Sequence, residues 1–232
     1  TIRDGGYINN WNFNKSFVKD LYNSLDKSNY YYMEIGFRNF LGEYNDLTSK
    51  WRSCKEEDIS FIIKKKLKIA VMCDNSNFNI NLFSDKSESN INMVRIAFYK
   101  NDILNAINNA NSLIKLNYEV CLNAMGTILY SDDELYELCK GYLNTKCKYL
   151  YIADSYGSMN TDDINIIKTK ISTYCLEINP NKKINFGFHA HNNLQNGITN
   201  VMYCINNGFE IIDTTVMGCL LYTSPSPRDT SS

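Results

Sequence analysis

Residues 183–193 read KINFGFHAHNN, and this stretch decides how the chain folds. Its aromatic and β-branched residues are typical of a strand that is buried on both faces, as in a parallel sheet. The two histidines of the whole chain, His189 and His191, come at its carboxyl end. Since residues i and i+2 of a strand point the same way, the stretch predicts a buried strand that presents two imidazoles on one side.

Six further runs of the same kind precede or follow this stretch. They cover residues 30–37, 67–74, 91–98, 118–124, 148–154 and 210–216. Helical patterns separate them, and a repeat of roughly 30 residues is the size of one βαβ unit. A short strand ending just before Arg3 would make eight units, so the pattern predicts a (β/α)8 barrel, truncated at both ends. A doubly wound open sheet is the alternative, although no G-x-G-x-x-G follows a strand to indicate dinucleotide binding.

The helices are predicted from their caps and their apolar spacing. Ser131 and Glu134 form a capping box before a helix over residues 131–143. A second helix is expected to begin with Thr161 as its cap, and others cover residues 101–114 and 193–208. The last of these carries an apolar face that includes Leu194 and Ile198.

Composition limits the class of protein. The net charge of −1 does not indicate a nucleic-acid partner, and no apolar run is long enough to span a membrane. The eight cysteines are scattered without a C-x-x-C pair, so we expect reduced, mostly buried thiols in a cytoplasmic protein.

The end of the chain differs in composition from the rest. Residues 223–232 lack the Asn, Lys, Ile and Tyr of the body and hold two of the three prolines. We therefore expect a catalytic domain over residues 1–218 and a non-native tail over residues 219–232. A natural disordered terminus is the alternative.

Polar residues follow several of the predicted strands, and we expect them to meet at one rim. Asp4 and Glu34 share this position with the histidines, as do Asp74, Asn123 and Asp154. Asp4, His189 and His191 would make a His-His-carboxylate set with open positions for a substrate, which suits Mn²⁺, Mg²⁺, Co²⁺ or Zn²⁺. Arg3 would place a permanent positive charge beside it. The alternatives are that the histidines are ordinary core or surface residues and that Asp154 only caps a turn.

Five motifs resemble a known family. They are TIRDGGY (1–7), EIGFR (34–38), ADSYGSM (153–159), GFHAHNN (187–193) and DTTVMG (213–218). In this order they resemble the HMG-CoA lyase-like, or DRE-TIM metallolyase, superfamily, and most of all its branch of 4-hydroxy-2-oxovalerate aldolases. The resemblance implies that Asp4, His189 and His191 ligate the metal, with Mn²⁺ in first place. It implies that Arg3 stabilises an enolate and that Glu34 is an active-site acid.

The function implied by the resemblance is a metal-dependent carbon–carbon lyase that cleaves a 2-oxo acid through a pyruvate enolate. Tyr7 stands where the aldolase branch usually has a histidine as general base, so the identity of the base is open. An acyl-CoA synthase or lyase of the same superfamily, a metal-dependent hydrolase and a truncated, non-catalytic barrel are the alternatives. A small-molecule substrate is implied, together with a homo-oligomer or an aldehyde dehydrogenase as partner.

Overall fold

The computed structural model describes residues 2–38, 46–62 and 66–216, which form a parallel sheet with helices. The strands are β1 (Tyr32–Phe37), β2 (Lys68–Asp74), β3 (Ile91–Phe98), β4 (Glu119–Met125), β5 (Tyr149–Ala153), β6 (Phe186–His189) and β7 (Ile211–Ile212). The α-helices are α1 (Ile2–Asn9), α2 (Lys15–Asp26), α3 (Asp46–Ser53), α4 (Glu56–Ile59), α5 (Ile103–Lys115), α6 (Asp132–Leu143), α7 (Thr161–Ile178) and α8 (Gly197–Asn206). All seven strands predicted from the sequence are confirmed.

The sheet is parallel throughout, and each strand pairs with the next one along the chain. It bends around a concave interior, so that strands far apart in the sheet order contact each other across it. The ammonium group of Lys148, just before β5, lies 2.9 Å from the hydroxyl oxygen of Tyr32 at the start of β1. In a flat sheet, positions four strands apart would be separated by roughly 19 Å. The sheet is therefore strongly curled.

Alternation along each strand separates two layers of side chains. The outward residues pack under the helices in one large core, to which Val94, Leu122 and Phe188 belong. The inward residues form a smaller apolar cluster in the concave interior that includes Met93 and Tyr151. Both faces of the sheet are covered, which explains why the strands read as continuous apolar runs.

α6 and α7 each begin at a capping box. Ser131 and Glu134 cap α6 reciprocally, as the sequence predicts. The cap of α7 was predicted one residue too late. Asn160 accepts hydrogen bonds from the backbone of Asp162 and Asp163, and Thr161 is already helical. An Asn side chain reaches these backbone N–H groups from the extended position before the helix, so it takes the role first.

Three other expectations were wrong. No strand precedes β1 in the described residues, because the chain from Ile2 forms α1, which satisfies its own backbone groups and buries Ile2. Glu34 lies in the middle of β1, not at its end. In α8 the predicted apolar face is exposed, and the buried positions include Asn200 and Cys204 instead.

The seven cysteines in the described parts of the chain are buried and unpaired, as expected. Over the same ranges, none of the helices has the length and apolarity needed to cross a membrane. The predicted domain boundary at residue 218 and the tail lie outside the described residues.

Candidate active site

The predicted site residues come together in the concave interior. α1 supplies Arg3 and Asp4, β1 supplies Glu34, and the end of β6 supplies His189 and then His191. All five residues are largely buried. A cavity of about 820 Å³ opens beside Asp4 and Glu34 and runs between the inner faces of β1 and β7.

The imidazole of His189 is fixed by a carboxylate. Its Nδ1 lies 2.6 Å from Oδ2 of Asp213, the residue that follows β7. Burial alone would raise the pKa of Asp213, but the charges of Arg95 and His189 outweigh it and hold that pKa well below its usual range. An ionised carboxylate can only accept hydrogen bonds, so Nδ1–H of His189 donates to it. In the neutral form of this ring, the lone pair is therefore on Nε2.

His191 has the same tautomer for a different reason. Its Nδ1–H donates to the backbone carbonyl of Ser155 at 3.0 Å. Burial, and then the neighbouring His189, lowers the pKa of His191 to about 4, so the ring is neutral at pH 7 with its lone pair on Nε2. The centroids of the two imidazoles are 5.0 Å apart, with their planes nearly perpendicular. The sequence prediction that both rings share one side is in line with this arrangement.

Arg3 joins the two carboxylates of the site. Its Nη1 is 2.5 Å from Asp4, and its Nε donates to Glu34 at 2.8 Å. Burial alone would lower the pKa of Arg3. The charges of Asp4 and Glu34 outweigh burial and raise that pKa above its ordinary value. Burial alone would raise the pKa of Asp4. The charge of Arg3, with smaller contributions from His189 and His191, outweighs burial and lowers that pKa below its ordinary value. Asp4 is therefore an ionised carboxylate whose charge interacts with both imidazoles.

One nitrogen of Arg3 is left over. Its Nη2 is buried and has no hydrogen-bond partner among the described residues. A guanidinium nitrogen in this state is a donor without an acceptor, which is costly unless a ligand supplies one. The site thus offers a hydrogen-bond donor with full positive charge.

Tyr7 lies at the edge of the site, where its ring is 41% exposed. It packs edge-on against Trp11 and Phe37. Burial raises the pKa of Tyr7, so the phenol keeps its proton at neutral pH. Such a phenol can donate a hydrogen bond, but it is a poor general base.

Sequence reasoning missed two residues that the structure places at the centre of the site. Arg95, in β3, donates to Glu34 at 3.0 Å, to Asn123 at 3.1 Å and to Asp213 at 2.6 Å. Its guanidinium also lies 4.2 Å from the ring centre of Tyr151. A lone arginine inside the apolar run INMVRIAF was the available signal for Arg95, and a carboxylate directly after a strand was the signal for Asp213.

These contacts form one chain of alternating carboxylates and arginines that ends at a histidine. In order, it joins Asp4, Arg3, Glu34, Arg95, Asp213 and His189. Every carboxylate in this chain touches at least one arginine, so none of the buried charges is left unpaired.

Two of the other residues expected at the rim have different roles. Asn123 belongs to the network through Arg95. Asp154 accepts the backbone N–H groups of Ser158 and Met159 and therefore caps the turn after β5, which was the alternative reading of this residue.

The donor chemistry fits a divalent cation in part. The two Nε2 lone pairs are held in place by groups bound to Nδ1, which is the usual arrangement around metal-ligating histidines. Asp4 adds an ionised carboxylate nearby. Within residues 2–38, 46–62 and 66–216, however, no three His, Cys, Asp or Glu side chains are grouped closely enough to hold one ion as they stand. Ligation by Asp4, His189 and His191 stays a prediction.

The fold and these motifs define a member of a known enzyme family. A model of the HMGL-like family matches residues 1–219, and the chain belongs to this family. The resemblance drawn from the five sequence motifs is thereby confirmed.

Curated relatives carry one common description. A 4-hydroxy-2-oxovalerate aldolase of Bacillus cereus is 23% identical over 217 residues, which cover 93% of this chain and 62% of the relative. The aldolase of the same description from Geobacillus thermodenitrificans is 24% identical over 221 residues, covering 93% of this chain and 61% of the relative. The chain thus spans less than two thirds of the length of these relatives.

Solved structures agree with the fold. The N-terminal domain of a Bacteroides vulgatus protein matches with a TM-score of 0.76 and 25% identity, covering 94% of this chain and 71% of that one. The HMG-CoA lyase of Brucella melitensis matches with a TM-score of 0.67 and 12% identity, covering 93% and 78%. At this identity the second likeness concerns the fold alone.

Proposed function

We propose that this protein is a carbon–carbon lyase of the aldolase type that cleaves a 4-hydroxy-2-oxo acid through a pyruvate enolate. Membership of the HMGL-like family and the description of the curated relatives support the reaction class. The observation that carries the proposal is the buried pair of imidazoles, both with Nδ1 occupied, beside a guanidinium with an unpartnered nitrogen.

In this proposal Asp4, His189 and His191 hold a divalent ion, with Mn²⁺ ahead of Mg²⁺, Co²⁺ and Zn²⁺. Such an ion, when bound, polarises the 2-oxo group and stabilises negative charge on its oxygen. The protein contributes two imidazoles whose Nδ1 atoms are both held by acceptors and one carboxylate that nearby positive charge keeps ionised. Because these three side chains are not grouped closely enough to hold one ion as they stand, ligation requires that they move together.

Arg3 has the role of a fixed cation. Glu34 holds it through Nε, so the guanidinium plane is set before any substrate arrives. The free Nη2 can donate to a carboxylate or to the enolate oxygen of the substrate. A donor fixed in advance where charge develops stabilises the transition state more than a mobile one, because no reorganisation is needed.

Glu34 and Tyr7 complete the proposed set. Glu34 accepts from both Arg3 and Arg95, so its role is to orient these cations, and proton transfer is not its task in this arrangement. Tyr7 is protonated at neutral pH and half exposed at the edge of the site. We propose that its phenol donates a hydrogen bond to the hydroxyl or aldehyde oxygen of the substrate.

We also propose that the curled sheet is the larger part of a (β/α)8 barrel. β1 and β7 are the two outer strands of the described sheet, and both line the cavity beside the site. One more parallel strand between them would close the barrel and leave no sheet edge.

The test is release of pyruvate from 4-hydroxy-2-oxovalerate, followed by reduction with lactate dehydrogenase and NADH. We expect turnover with Mn²⁺, none after EDTA, and recovery when Mn²⁺ is restored. His191→Gln and Asp4→Asn should each lower kcat/KM by about 100-fold or more. Glu137→Gln, a carboxylate-to-amide change on the exposed face of α6, is the matched control and should leave the rate unchanged.

Metal binding is measured separately by titrating Mn²⁺ into EDTA-treated protein and observing the electron paramagnetic resonance signal of the free ion. Tight binding that His191→Gln weakens supports the proposed ligands. Absence of pyruvate from several 4-hydroxy-2-oxo acids in the presence of bound Mn²⁺ would contradict the aldolase reaction.

A further inference from the structure

Arg95 contacts two parts of the site, Glu34 with its partner Arg3 and Asp213 with its partner His189. It lies on β3, the third strand in the sheet order, with its side chain directed into the concave interior. Through Nη1 it donates to Glu34 on β1, and through Nη2 it donates to Asp213 after β7. We propose that Arg95 is a positioning residue that fixes Asp213 against His189 and, through Glu34, fixes Arg3. Only the expected effect of Arg95 on turnover rests on the proposed function.

The two carboxylate oxygens of Asp213 have different hydrogen-bond partners. Arg95 and His189 both donate to Oδ2 of Asp213, each at 2.6 Å. The other oxygen, Oδ1, accepts from the hydroxyl of Tyr151 at 3.3 Å. Since a guanidinium can only donate, Arg95 holds Oδ2 of Asp213 in the place opposite Nδ1 of His189. Arg95 thereby supports the tautomer that Asp213 selects, by fixing the oxygen that accepts from Nδ1–H.

The guanidinium is itself held in a single orientation. Its face lies 4.2 Å above the ring centre of Tyr151, and its side chain is only 4% exposed. Asn123 accepts a further bond from the same Nη2. A planar donor that is stacked and bonded in this way cannot be replaced by lysine without losing one of its bridges, because an ammonium group lacks the fixed fork.

The same guanidinium acts on the other half of the site through Glu34. Oε1 of Glu34 accepts from Arg95, and Oε2 accepts from Nε of Arg3. The carboxylate is thus shared by two arginines, and its plane is set by both. Loss of Arg95 would release one oxygen of Glu34 and with it the orientation of Arg3.

The experiment uses the fact that the chain has two histidines. Protein labelled with ¹⁵N in histidine gives two ring systems in a long-range ¹H–¹⁵N spectrum, and His191→Gln assigns them. The spectrum reports directly which ring nitrogen carries the proton. It is recorded without metal at one fixed pH, so it needs neither turnover nor a known substrate.

The effect of Arg95 is measured in an Asp213→Asn variant, because there the tautomer of His189 depends on how residue 213 is oriented. An amide at residue 213 offers either an oxygen or an NH₂ group to His189. With Arg95 present, the oxygen must face the guanidinium, so we expect His189 to stay protonated on Nδ1. With Arg95→Met in addition, which also balances the charge, the amide is free to turn, and the form protonated on Nε2 should rise at least about fivefold. Met93→Leu in the same background is the matched control, since Met93 is an inward, buried residue two positions earlier on β3.

Three outcomes are informative. A change at His189 in Asp213→Asn/Arg95→Met, with His191 unchanged and with no change in the Met93→Leu control, supports the inference. An unchanged His189 in the folded double variant overturns it.

The single variant Arg95→Met should lower kcat for pyruvate release by about 10–100-fold with little effect on KM. If the tautomer changes but the wild-type protein releases no pyruvate, the positioning role stands and the proposed function fails.

Discussion

At the scale of single residues, Gly187 shows how the GFHAHNN motif is built into the site. A Cβ atom at this position would lie 2.7 Å from three atoms of the Tyr151 ring. That ring supports the guanidinium of Arg95 and bonds Asp213, so it has little room to move. Glycine is therefore required here by close approach, two residues before His189.

We predict that Gly187→Ala destabilises the protein by roughly 1–3 kcal/mol, because the added methyl group overpacks the interior. Urea unfolding measures the change. Gly5→Ala is the control, since a Cβ there would meet only Phe13 at an ordinary distance of 3.4 Å. Equal stability of Gly187→Ala and wild type would show that the Tyr151 ring moves aside freely.

At the scale of secondary-structure elements, the start of α7 offers a sharp comparison. Asn160 accepts two backbone N–H bonds, and Asp163 bonds back to the Asn160 backbone. We predict that Asn160→Ala costs about 0.5–2 kcal/mol, whereas Thr161→Ala, one position later, costs little. Thermal unfolding of both variants tests this, and a larger loss for Thr161→Ala would mean that the helix begins one residue later.

The elements that the sequence predicted are determined by local patterns, whereas the feature that it missed is determined by a distant contact. The strands around Val94 and Phe188 were found because burial on both faces leaves a local pattern that needs no knowledge of neighbours. The buried face of α8 was not found. It is set by a distant contact, in which the side chain of Asn200 donates to the backbone carbonyl of Met159 at 2.8 Å. Amphipathic spacing alone predicted that the face with Ile198 is buried, but Ile198 is 78% exposed.

The candidate site divides in the same way. His189 and His191 could be paired from the sequence, because their spacing is local and the strand geometry is regular. Arg95 could not be placed, since it bonds Glu34 and Asp213, which lie 61 and 118 residues away in the chain. Such contacts exist only once the sheet has curled, and a one-residue change of strand register would direct Arg95 to the opposite face.

At the scale of the whole molecule, a second polar cluster joins strands across the interior at their amino-terminal ends. Glu119, the first residue of β4, accepts from Lys68 at 2.7 Å and from the hydroxyl of Tyr32, and Lys148 lies 3.0 Å from it. Its partners come from the starts of β1 and β2 and from the residue before β5. The cluster therefore ties the curled sheet together from the end opposite to the histidines.

This cluster makes stability depend on pH. Burial works to raise the pKa of Glu119, but the hydrogen bonds from Lys68, Tyr32 and Lys148 outweigh it and lower that pKa below its ordinary value. A carboxylate with a lowered pKa in the folded state stabilises the protein above the pKa of the unfolded chain, at about 4.3, and this stabilisation is lost as the pH falls through the folded value.

We therefore predict that Glu119→Gln lowers the free energy of unfolding by about 1–3 kcal/mol at pH 7, as expected for hydrogen bonds to a charged group. The difference from wild type should shrink when the pH is lowered from 5 to 3, because the wild-type carboxylate then takes up its proton. Urea unfolding across this range measures both values. Glu137→Gln, whose carboxylate is 60% exposed, is the control and should stay within about 0.5 kcal/mol of wild type at every pH. A Glu119→Gln difference that is the same at pH 7 and pH 3 would mean that side-chain packing, and not the charge of Glu119, connects these strands.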